Sequence, residues 1–194
     1  MRRRRKARLA AALVVVAGFA SWGAVGAFGD ANVIKARATI LGPPGSGISG
    51  TVEFTQAPAN ADYPEAGVWI VAKVDGLTPG RHGFHIHESG SCEPPLYTAA
   101  GGHFDPGPSG NSNPDANHPF HMGDLPNLVA NAAGVAHLNA ETSRVTLSPG
   151  PLTLFDANGS AVIVHANPDQ GITGPPGSGV SGGPRLACGL IEME

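Results

Sequence analysis

The run Arg81-His82-Gly83-Phe84-His85-Ile86-His87-Glu88 decides how this chain is read. Phe84 and Ile86 alternate with His85 and His87, and successive side chains of a β-strand point to opposite faces. The pattern predicts a strand with both histidines on one face and both apolar residues anchored in a core on the other. Two imidazoles one pleat apart on a rigid strand can offer two nitrogens to a single metal ion. An isolated His-x-His also suits an ordinary half-buried strand, so its meaning depends on the rest of the chain.

Upstream, the signals are strands and turns. Val33 to Leu41 is apolar with Lys35 and Arg37 interleaved, a Gly-Pro-Pro-Gly-Ser-Gly turn follows at 42–47, and Ile48 to Gln56 alternates through Val52 and Phe54. This predicts a hairpin. Gly67 to Val74 is a third strand, with Val68, Ile70, Ala72 and Val74 on one face, and Leu77-Thr78-Pro79-Gly80 turns it into the histidine strand. Four antiparallel strands joined by short turns predict an all-β sandwich or barrel.

Downstream the rhythm breaks. Residues 88–126 show no periodicity and are rich in Gly, Pro, Asn and Ser, yet they carry His103, His118, His121 and Asp124. A long loop that buries little apolar surface can still be ordered by a metal or by a disulfide. Strands resume at Leu125 to Ala130, Gly134 to Asn139 and Arg144 to Leu147, and Ala161 to His165 reads as a buried strand ending in a histidine. A second Gly/Pro-rich loop, Ala166 to Pro184, leads into a closing strand at Arg185 to Glu192.

The N-terminus is of a different kind. Arg2, Arg3, Arg4, Arg5, Lys6 and Arg8 precede an apolar stretch from Leu9 to Ala27 that ends in small residues, the pattern of an export signal. The expected division is a signal at 1–27 and a domain at 28–194. An uncleaved membrane anchor is the rival reading, against which stand Gly18, Gly23, Gly26 and the Val25-Gly26-Ala27 cleavage pattern. Either way the domain is expected outside the cytoplasm: periplasmic, at the cell surface or secreted. No twin-arginine motif specifies the route.

Removing residues 1–27 takes six of twelve basic residues and none of fifteen acidic ones, leaving six against fifteen and a net charge of −9. That excludes a nucleic-acid partner, since the basic run belongs to the signal. The two cysteines, Cys92 and Cys188, are most simply a disulfide in an exported chain. A pair of copper-binding thiolates is the alternative, though neither has a second cysteine nearby.

Of eight histidines, six can converge: His85, His87, His103, His118, His121 and His165, with Asp124 beside them. Imidazoles suit copper and zinc, and a carboxylate in a histidine-rich tetrahedral set suits zinc better. Two metals account for the number. In HGFHIHE (82–88), AGGHFDPG (100–107), HMGDLPN (121–127), VIVHANPD (162–169) and GGPRLACG (182–189), in this order, the chain resembles the copper/zinc superoxide dismutase family and closely its bacterial exported branch.

The resemblance implies an eight-stranded antiparallel Greek-key barrel with two long functional loops. It implies copper held by His85, His87, His103 and His165, and zinc by His103, His118, His121 and Asp124, with His103 bridging. The implied reaction takes superoxide anion to dioxygen and hydrogen peroxide by copper redox cycling. Asp169 would link a copper histidine to a zinc histidine, Arg185 would dock the anion beside copper, and Cys92 with Cys188 would form the family disulfide. Gly83, Gly101 and Gly102 would allow close backbone approach to the site.

The chain also departs from the family. The stretch between His103 and His118 is longer than usual and His118 stands three residues before His121, so zinc could keep three ligands and a water. Loop 166–184 has no lysine and no acid beyond Asp169, which implies weak steering of the anion. His82 reads as a structural hydrogen-bonding residue, His137 as a solvent-facing strand residue, Asp105 as a loop-turn residue, and Trp69 and Phe54 as core or interface. The alternative function is a non-enzymatic extracytoplasmic module of the same fold that sequesters or delivers copper. A homodimer is left open by the sequence.

Overall fold

Alternation builds the first three strands. In the computed structural model, which describes residues 33–58, 67–107 and 110–194, β1 spans Ile34–Leu41, β2 Ser49–Gln56 and β3 Val68–Asp75. Ala36, Ala38, Ile40, Val52, Phe54, Val68, Ile70, Ala72 and Val74 point inward and are buried. Each buried branched side chain contributes about 1.5–3 kcal/mol relative to exposure. Trp69 and Val71 take the outer face of β3, each about half exposed, so Trp69 is not a core residue. The export signal expected at 1–27 lies outside the described residues.

The histidine run differs from expectation in a way that fixes the topology. It forms two short strands, β4 (Gly80–His82) and β5 (Phe84–His87), separated by Gly83 alone. The remaining strands are β6 (Leu128–Ala130), β7 (Ala136–Thr142), β8 (Ala161–His165) and β9 (Arg185–Met193). Hydrogen bonding orders them β4-β6-β7-β3-β2-β1-β9-β8-β5. β4 and β5, adjacent in the chain, therefore stand at the two ends of one antiparallel sheet, which bends round into a nearly closed barrel of nine strands among the described residues, rather than eight. Gly83 is the seam: its N–H donates to Asn167 O, its carbonyl accepts from His165 N, and a Cβ there would meet Ser181 O at 3.1 Å.

Two local expectations are corrected. β3 pairs with β2 and β7, not with the strand that follows it, as a Greek-key crossing requires. Arg144 to Leu147 is not a strand, because Pro149-Gly150-Pro151 folds the chain back so that Thr146 bridges only to Thr153. Val145, Leu147 and Leu154 cap the core instead.

β5 and β8 are buried on both sides. Phe84, Ile86, Val162 and Val164 face the barrel interior, while Ala161 and Ile163 face outward into a small second core with Tyr97, Ala100, Cys188 and Cys92. The long loop therefore lies over the outside of the barrel. A disulfide between Cys92 and Cys188, with Cα atoms 5.5 Å apart, ties the loop to β9.

Candidate metal centre

The site is built on the outer face of β5, where alternation puts His85 and His87 side by side. The long loop adds itself to that strand's free edge: Phe104 N donates to Ile86 O, Ile86 N to Gly123 O, and Gly123 N to Phe104 O. His87 thereby bridges to His103, and His85 to Asp124. Gly102 makes room, since a Cβ there would overlap the Ser112 carbonyl. His165 arrives from the end of β8, where the β8–β9 register slips after Val164 and sets His165 opposite Arg185.

His85, His87, His103 and His165 are buried and offer ligand atoms within 4.8 Å of one another. In each, one ring nitrogen is fixed: His85 Nε2 by Asp169 Oδ2 at 3.0 Å, His87 Nδ1 by Gly101 O at 3.1 Å, His165 Nδ1 by Gly183 O at 2.9 Å, and His103 Nδ1 by Asp124 Oδ1 at 2.6 Å. The other nitrogen of each, Nδ1 of His85 and Nε2 of the rest, is buried with no hydrogen-bond partner among the described residues. Such orphaned polar atoms cost free energy unless something occupies the space between them. Four neutral imidazole nitrogens converging in this way fit a copper ion.

His103, His118, His121 and Asp124 form a second group that meets the same distance limit. Asp124 Oδ2 lies 3.0 Å from His121 Nδ1 and 3.1 Å from His118 Nδ1, and the latter lacks hydrogen-bond geometry. Three imidazole nitrogens around one carboxylate fit zinc. His118 is thus brought into the group despite its position three residues before His121. His103 belongs to both groups, one through each ring nitrogen. Asp169 joins them from outside, reaching His85 through Oδ2 and His118 Nε2 through Oδ1 at 2.6 Å.

The electrostatics divide along the same line. Burial pushes His85, His87 and His165 down, and burial with the neighbouring His85 lowers His103 to about 3. On the other side burial is outweighed by the carboxylates of Asp124 and Asp169, which hold His118 up at about 9, and Asp124 likewise raises His121. The histidines in turn hold Asp124 and Asp169 well below the ordinary carboxylate range against the opposing effect of burial.

Arg185 donates to the carbonyls of Tyr97 and Gly101. Gly101 O also accepts from His87, so one carbonyl registers the guanidinium against the four-histidine group. His165 and Arg185 line an open cleft of about 920 Å³ with Asn113, Asp115, Asn167 and Ser181 among the other walls.

The residues expected to serve structure and not the site fall as expected in part. His82 is buried between two carbonyls, Thr78 O and His165 O, each at 2.8 Å. His137 is exposed, Phe54 is core, and Asp105 accepts from Asn111 N. Three contributors were missed. Asn127 clamps the backbone of Asp169, donating to its carbonyl and accepting from its N–H. Arg144 donates to the carbonyls of Pro119 and His121, and Asp115 binds the loop after Asp169. The one available signal was the place of Asn127 within the HMGDLPN run.

Comparison with known proteins bears on the same residues. The family model described as copper/zinc superoxide dismutase matches residues 48–191. A copper/zinc superoxide dismutase of Caulobacter vibrioides is 40% identical over 149 residues, covering 74% of this chain and 78% of its own. One from Brucella abortus is 35% identical over 175 residues, covering 86% and 91%. Among solved structures, a double mutant of a superoxide dismutase-like protein from Bacillus subtilis matches with a TM-score of 0.64 and 32% identity, over 79% of this chain and 95% of that one.

Proposed function

The chain belongs to the copper/zinc superoxide dismutase family, and from that membership we propose how its residues act. It is an oxidoreductase: two superoxide anions and two protons give one dioxygen and one hydrogen peroxide. His85, His87, His103 and His165 would hold copper, and His103, His118, His121 and Asp124 would hold zinc. Bound copper supplies one-electron redox chemistry, and zinc supplies fixed positive charge beside it.

The observation that carries this reading is the convergence of four orphaned histidine nitrogens, one of them on His103, whose opposite nitrogen faces Asp124. His103 would be the residue that holds or releases a proton at Nε2, with Nδ1 held toward Asp124. The carbonyls of Gly101 and Gly183 fix the tautomers of His87 and His165, and Asp169 fixes those of His85 and His118 together. Arg185 presents a positive charge in the lining of the cleft, where an anion would otherwise meet a chain of net charge −9 after removal of residues 1–27.

The domain at 28–194 would act outside the cytoplasm after export by residues 1–27, with oligomeric state left open. The test is superoxide decay in the presence of the copper- and zinc-loaded protein against a His165→Ala variant. Rapid decay that the variant loses supports the enzyme. Full copper occupancy with decay no faster than a protein-free blank leaves a copper-binding module.

A further inference from the structure

The segment that carries His118 and the segment that walls the cleft are joined at one buried carboxylate outside both ligand groups. Asp115 is 5% exposed. Its Oδ2 accepts from Gly179 N at 2.9 Å, and its Oδ1 accepts from Ser181 N at 3.1 Å and Ser181 Oγ at 2.9 Å. Its own carbonyl accepts from Gly174 N at 2.8 Å, and three residues on the His118 carbonyl accepts from Thr173 Oγ1 at 2.6 Å. Ser181 is bridged on its other side to Asp169, the residue that reaches His118 Nε2. A ring of contacts thus runs from His118 through Asp115 to Ser181, on to Asp169, and back to His118.

An acidic side chain in the wall of a cleft that admits an anion opposes entry. Its presence there calls for a countervailing role, and the contacts supply one. We propose that Asp115 is a positioning residue for the zinc site: it locks segment 173–181 against segment 115–118 and so presents His118 to Asp124 and Asp169 together. This rests on the reading of His103, His118, His121 and Asp124 as zinc ligands. Asparagine at 115 could keep the Ser181 contacts but would set an amide N–H₂ against the Gly179 N–H, and alanine would lose every side-chain contact.

Cobalt(II) serves as the zinc probe, because its visible spectrum reports a tetrahedral site. The full chain, loaded with copper alone, is titrated with cobalt(II) against a competing chelator, for the unaltered protein and for Asp115→Asn, Asp115→Ala, Ser181→Ala and His118→Ala. The unaltered chain should show the tetrahedral band and His118→Ala should lose it. Asp115→Asn should weaken cobalt by about tenfold and alter the band, as loss of outer contacts to ligands does, with Asp115→Ala weaker still and Ser181→Ala between. Should Asp115→Ala not fold, the other two variants decide. Unchanged affinity and band in the Asp115 and Ser181 variants, with His118→Ala lost, overturns the role of Asp115 and spares the zinc reading. No tetrahedral band in the unaltered chain, or none lost in His118→Ala, removes the zinc reading and this inference with it.

Discussion

Asp169 Oδ1 lies 2.6 Å from His118 Nε2, and the same carboxylate reaches His85 through its other oxygen. One side chain therefore sets the tautomers of two histidines in different ligand groups. Asp169→Asn would turn an acceptor into a donor toward one of them. Zinc affinity should fall about 10–100-fold, read by chelator competition, with the fold intact by circular dichroism.

The metal-free chain should be most stable near pH 6.5. His118 is held at about 9, above its unfolded value of 6.5, so its contribution is fully present below pH 6.5 and is lost as pH rises toward 9. His103 is lowered to about 3, so the unfolded chain binds a proton there that the folded chain refuses, and stability also falls from pH 6.5 toward 3. Thermal midpoints across this range should pass through a maximum. Because zinc must displace the His118 proton, zinc affinity should climb with pH up to about 9.

Loss of the Cys92–Cys188 bridge should cost stability and geometry together. The cysteines are 96 residues apart, and a closed loop of that size contributes about 4.7 kcal/mol in the chain-entropy model. Tyr97 and Gly101, whose carbonyls hold Arg185, lie in the bridged loop. The double variant Cys92→Ser, Cys188→Ser should lower the urea midpoint, and it should also slow superoxide decay at full copper occupancy.

Long-range steering should be weak. Among the described residues, Asp115 and Arg185 are the permanently charged side chains lining the cleft, and they oppose each other. Raising ionic strength from low to physiological should change the rate by less than about threefold, where strongly steered association falls far more. Stopped-flow decay over a salt series measures it.

Much of the fold was legible where one physical rule dominates. Alternation at Val68, Ile70, Ala72 and Val74 specifies a strand whatever its neighbours, and the residues placed in the two ligand groups were all identifiable as ligand types in strand or loop context. The split at Gly83 was not legible, because it depends on barrel closure between β4 and β5 and not on local pattern. Nor did pattern foresee Thr146 folding back onto Thr153. Asn127, Arg144 and Asp115 escaped for a different reason: polar loop residues take partners far along the chain, as Asp115 does with Ser181 across 66 positions, and spacing carries no trace of that. His118 was the doubtful ligand by spacing, yet beside the turn closed by Phe120 N on Asn117 O its Nδ1 lies 3.1 Å from Asp124.

The most direct test of the central claim is superoxide decay with residues 28–194 loaded with copper and zinc, set beside Arg185→Ala at equal metal content. Arg185 stands opposite His165 and is clamped by Tyr97 O and Gly101 O, so its loss should leave copper bound and slow decay by about tenfold or more. Equal rates would contradict its role as the anion-docking residue, and a rate no faster than a protein-free blank in both would contradict the dismutase itself.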